Sequence, residues 1–122
     1  MKFIFITLFP EQVEAAASHS ILKRGVETGA IQIECINPRD FSLDRHHSVD
    51  DAPFGGGVGM VLKPEPMVEA IRLAKAKAPG APVIAMSPGG VTFRQALAET
   101  WAKEEVGLIF VCGHYEGFDE RI

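Results

Sequence analysis

The 122-residue chain is predicted to be an α/β domain whose sheet is mainly parallel and flanked by helices. Three observations predict it. Apolar, β-branched runs of strand length alternate along the chain with segments of helical periodicity. The connections between those runs are long enough for the crossovers that parallel neighbours require. The composition, 47% hydrophobic and 23% charged, is that of one globular domain. A chain of this size buries roughly two thirds of the surface its unfolded form exposes, enough for a core without disulfide or metal staples.

Each element has its own signal. Lys2 to Phe9 is β-branched and aromatic, is bounded by Pro10, and reads as the first strand. After Pro10, Val13, Ala17 and Ile21 recur on one helical face, with Ser20 able to start a second short helix and Gly29 ending it. Ala30 to Asn37 alternates apolar and polar residues, as a strand with one covered face does, and Pro38 closes it. Residues 39 to 59 show no periodicity and read as a long irregular connection of the kind that often carries function. Pro64 and Pro66 open a helix with Met67, Ala70, Ile71 and Ala74 on one face, stopped by the APGAP run at 78 to 82. Val83 to Met86 is a short, fully apolar strand. Thr92 with Gln95 is a capping-box pattern, predicting a helix with Phe93, Leu97 and Trp101 on one face and an end near Glu105. Val106 to Cys112 reads as a strand buried on both faces, and the last ten residues as loop.

Bulk properties exclude several classes. No run approaches the ~18 to 20 apolar residues that cross a bilayer, and the N-terminal run lacks a small-residue cleavage site. No membrane partner and a reducing, cytoplasmic setting are therefore expected. Cys35 and Cys112 sit in apolar runs, where a thiol acts as a small buried hydrophobe. The formal charge of −4 weighs against a nucleic-acid partner, because phosphate binding usually leaves a basic footprint.

Three loops can carry chemistry, two of them directly after strands, where ligands of parallel sheets gather. In SPGG at 87 to 90, Ser87 offers a hydroxyl, Pro88 fixes the chain direction, and Gly89 and Gly90 permit positive φ and close approach to a ligand; the plainer reading is a strand-to-helix turn. In GHYEGFDER at 113 to 121, Tyr115 can stack on a flat heterocycle and Glu116 can accept hydrogen bonds from an amine or offset a cation. The plainer reading there is a polar loop with Arg121 paired to an acid. The third loop, 44 to 60, concentrates positive potential at Arg45, His46 and His47, which with Arg39 can meet phosphates. Its glycines match neither a Walker loop nor a dinucleotide fingerprint. Adjacent histidines without a third ligand at zinc spacing do not make a metal site.

Taken together, LFP at 8 to 10, NPRDF at 37 to 41, DRHHSVDDAPFGGGVGM at 44 to 60, SPGG at 87 to 90 and VCGHYEGFDERI at 111 to 122 resemble the bacterial tRNA (guanine-N1)-methyltransferases of the TrmD type. The resemblance runs in order over the whole chain. It departs at Phe54, where the family is expected to have tyrosine, and at Gly89, where glutamine is common.

The resemblance implies a SPOUT-class fold of the trefoil-knot type, an exception to the rule that chains do not thread loops. Residues 1 to 122 would be an incomplete N-terminal S-adenosylmethionine-binding domain, with the knot-closing segment and a C-terminal tRNA-binding domain not in this sequence. It further implies a homodimer, magnesium, and methyl transfer from S-adenosylmethionine to N1 of the guanine next to the anticodon of tRNA. Cofactor contacts carry over to Met86, Ser87, Pro88, Gly89, Gly113, Tyr115, Glu116 and Gly117. Contacts to tRNA carry over to Arg45, Asp50, Gly55, Gly56, Gly57 and Gly59. The family's general base is an aspartate C-terminal to Ile122, so no catalytic residue is expected within this sequence. A polypeptide ending at Ile122 is expected not to methylate tRNA.

Two other readings compete. One is a non-catalytic α/β module binding a small anion at SPGG. The other is a hydrolase using Ser87, disfavoured because Ser87 precedes proline and lacks a G-x-S-x-G elbow.

Overall fold

The computed structural model describes residues 1–42, 50–51, 61–62, 64–103 and 105–113, and the account below concerns those residues. In chain order they form β1 (Lys2–Ile6), α1 (Pro10–Ala17), α2 (Ser20–Glu27), β2 (Gln32–Ile36), a 3-10 turn (Pro38–Phe41), β3 (Asp50–Asp51), β4 (Val61–Leu62), α3 (Pro64–Lys77), β5 (Val83–Met86), α4 (Gln95–Trp101) and β6 (Leu108–Cys112). Four strands make one sheet in the order β2-β1-β6-β5, with every pair parallel. The predicted fold class is therefore the observed one.

Strand alternation explains how the sheet divides its side chains. In β1, Ile4 and Ile6 share one face and Phe3 and Phe5 the other, because successive side chains point to opposite sides. The register sets Ile4 beside Ile109, and Ile6 beside Val111 on one flank and Ile36 on the other. Helix α3 belongs to the same core: Met67, Ala70 and Ala74 fall on one stripe, and all three are fully buried. Its alanines let the helix axis approach the sheet closely, while Met67 fills the space left between β-branched neighbours. Each fully buried Ile or Met contributes about 1.5 to 3 kcal/mol relative to exposure. This face holds the sheet together. Glu34 on β2 also ties the end of α3 to the sheet, accepting from Lys77 Nζ at 2.5 Å and pairing with Lys2 Nζ at 3.4 Å.

Several predicted boundaries move, each for a local reason. The helical segment after Pro10 is two helices, broken at Ser18 and His19, and Ser20 opens the second at φ 57°, the start that the sequence offers as an alternative. The capping box at Thr92 does not form. Helix α4 starts at Gln95 behind Arg94, whose side chain makes no cap bond, and the Gln95 amide turns toward Glu99 instead. Phe93 lies ahead of the helix with its ring stacked on Trp101 at 5.4 Å.

Helix α4 ends at Trp101 rather than near Glu105, and β6 begins at Leu108 rather than Val106, because the chain turns at Gly107 with φ 101°. Strand β5 is apolar as predicted but not buried: it lies at the sheet edge with only β6 beside it, leaving Val83 and Met86 37% and 50% exposed. Within the long 39 to 59 stretch, the described parts are the 3-10 turn and β3, which pairs antiparallel with β4, Asp50 opposite Leu62 and Asp51 opposite Val61. Two-residue ladders are too short to leave a periodic trace in sequence.

Candidate functional site

Because β5 and β6 are parallel neighbours with Met86 opposite Cys112, the chain leaves both strands at the same level. Ser87 and Gly113 therefore emerge side by side at the carboxyl edge of the sheet, with the strands roughly 4.8 Å apart. The turn after β5 is closed by its own serine. The Gly89 N–H donates to Ser87 Oγ at 3.2 Å, and the Gly90 N–H donates to the Ser87 carbonyl, also at 3.2 Å. Pro88 sits at the corner, where its fixed φ suits the turn.

The glycines act differently from expectation. Neither Gly89 nor Gly90 has a positive φ. A Cβ placed on Gly89 would meet only Ser87 Oγ at 3.7 Å, and one on Gly90 only the Ser87 carbonyl at 3.5 Å. Both distances are ordinary van der Waals contact, so a methyl group at either position would fit without displacing the turn. Positive φ is not the reason for glycine here, because the serine hydroxyl closes the turn.

Beside this turn opens a cleft of about 630 Å³, within the range of small-molecule sites. Its floor is aromatic: Phe110 stacks on Phe5 at 5.3 Å and on Phe3 at 6.4 Å, and Trp101 meets Phe110 edge-on at 6.0 Å. Phe93 and Leu97 complete the α4 side, and Met86, Ser87 and Pro88 the rim. The only titratable group among the described lining residues is Cys112, and burial pushes its thiol up, so it stays protonated near neutral pH. Cys35, outside the cleft, is raised in the same direction, first by burial and then by nearby Glu14. Both cysteines are free, but each is only partly buried, where their apolar runs suggest full burial. The described walls can thus hold and orient a molecule, but they carry no group suited to moving a proton at neutral pH.

The structure brings Met86, Ser87, Pro88, Gly89 and Gly113 together at two adjacent strand ends. Asp50 lies in β3, where its backbone pairs with Leu62. Tyr115, Glu116 and Gly117, with Arg45, Gly55, Gly56, Gly57 and Gly59, lie outside the described residues. Sequence reasoning did not identify the aromatic floor. Its signal was the alternation of Phe3 and Phe5 with Ile4 and Ile6, which sorts the phenylalanines onto one face, but nothing local says that Phe110 joins them.

Two groups implied by the resemblance can be tested against these residues. For S-adenosylmethionine, the size of the cleft and its aromatic lining fit a nucleoside-sized ligand. For magnesium, no three His, Cys, Asp or Glu side chains among the described residues form a group able to hold an ion, and no step is derived through a metal. No helix among the described residues is long and apolar enough to cross a membrane.

Comparison with known proteins agrees with the fold. The chain is 50% identical over its full length to a tRNA (guanine-N(1)-)-methyltransferase of Dehalococcoides mccartyi strain 195, covering 49% of that protein. It is also 50% identical over its full length to that of Bacillus subtilis strain 168, covering 50% of it. The chain thus spans about half the length of the curated relatives it matches. The crystal structure of tRNA (m1G37) methyltransferase from Aquifex aeolicus superposes with a TM-score of 0.88 at 34% identity, covering 99% of this chain and 54% of that one. The family model for tRNA (Guanine-1)-methyltransferase TrmD matches residues 1–122, and with the parallel sheet in place, the chain belongs to that family.

Proposed function

We propose that this chain forms the cofactor-binding part of an enzyme that transfers a methyl group from S-adenosylmethionine to N1 of the guanine next to the anticodon of tRNA. The observation that carries this reading is the Ser87–Gly90 turn standing beside Gly113 at the register-matched ends of β5 and β6, in a chain of this family. When bound, S-adenosylmethionine supplies an electrophilic methyl carbon on a sulfonium. Transfer breaks that carbon–sulfur bond, forms a bond to N1, and releases the N1 proton to a base.

The residues of this chain serve alignment. The two hydrogen bonds that close the Ser87 turn fix its shape, and a donor held in place lowers the entropic part of the barrier to an in-line displacement. Tyr115, Glu116 and Gly117 on the loop after Gly113 are proposed to complete the cofactor contacts. Arg45, Asp50, Gly55, Gly56, Gly57 and Gly59 are proposed to meet the tRNA. The base is proposed to be an aspartate in the segment that family members carry beyond the position of Ile122. The remaining elements of the proposal are a trefoil-knotted SPOUT fold, a homodimer, magnesium in the reaction and a cytoplasmic setting.

A thermal-shift experiment on the protein at the family's full length tests this. S-adenosylhomocysteine at about 100 times its Kd is expected to stabilise the fold by roughly 2.7 kcal/mol, while inorganic phosphate has no effect. Stabilisation by phosphate and none by S-adenosylhomocysteine would overturn the assignment. In a second arm, a polypeptide of residues 1–122 alone is expected to transfer no tritiated methyl group to tRNA, because the proposed aspartate base is not among those residues.

A further inference from the structure

We draw no further inference here: the strongest candidate, the aromatic cleft between β5, β6 and α4 floored by Phe3, Phe5 and Phe110, adjoins the site already described, and nothing in the structure shows what covers its open side.

Discussion

Gly107 faces the backbone of Lys2 so closely that a Cβ on Gly107 would overlap the Lys2 carbonyl oxygen and lie 3.0 Å from its carbonyl carbon. The contact lies at the point where the chain enters β6 next to β1, and Gly107 also has φ 101°, which side-chain-bearing residues rarely adopt. Backbone cannot swing aside as a flexible side chain can. Gly107→Ala is therefore expected to destabilise the domain by about 2 kcal/mol or more, combining positive-φ strain with a displaced strand. Urea unfolding should show a lower midpoint at an unchanged slope. An unchanged midpoint would mean that the β1–β6 junction has slack.

The reverse is expected at Gly89. With no positive φ and only Ser87 Oγ at 3.7 Å from a Cβ, Gly89→Ala fits the turn and restricts the unfolded chain, so a gain of about 0.4 to 1 kcal/mol is expected. Gly89→Gln, which restores the residue expected of the family, should likewise leave the fold intact. Thermal unfolding of the three proteins side by side checks this, and a loss of several degrees in Gly89→Ala would show that the turn needs glycine.

Glu34 titrates below the ordinary glutamate range: its hydrogen bond from Lys77 lowers it most, burial opposes, and the bond from Lys2 adds to the lowering. A depressed acid stabilises the fold above the unfolded pKa, about 4.3, and loses that contribution as pH falls through the folded value. With a third of the side chain exposed, screening keeps the contribution below about 1 kcal/mol. Glu34→Gln should thus melt slightly lower than the parent above about pH 5, and the gap should close as pH drops below about 4. A gap that widens in acid would contradict the sign.

Trp101, the single tryptophan, links α4 to the sheet through Phe110 and to the segment before the helix through Phe93. Trp101→Ala is expected to cost about 2 to 3 kcal/mol, less than full burial would imply because the ring is only partly covered. Trp101→Phe should recover most of it. Denaturant melts of both variants measure the effect, and equal losses would mean that a phenyl ring does not restore the packing made by the indole.

Much of this molecule was legible locally. The Ile and Phe alternation in β1, the Met67–Ala70–Ala74 stripe and the prolines opening α3 state which element forms and which face turns inward, because 2-residue and 3.6-residue periods are properties of neighbouring residues. The SPGG and GHYEGFDER motifs pointed to the family for the same reason: they are contiguous.

What only the tertiary structure decided is non-local. That β6 inserts between β1 and β5, leaving apolar β5 exposed at the edge, depends on pairing between strands at opposite ends of the chain. The aromatic floor depends on Phe110 meeting Phe3 and Phe5 across two strands. The strand pairings and the Phe110 contacts join residues far apart in the chain, so they follow from how the whole chain closes its core and lie in no single window of sequence.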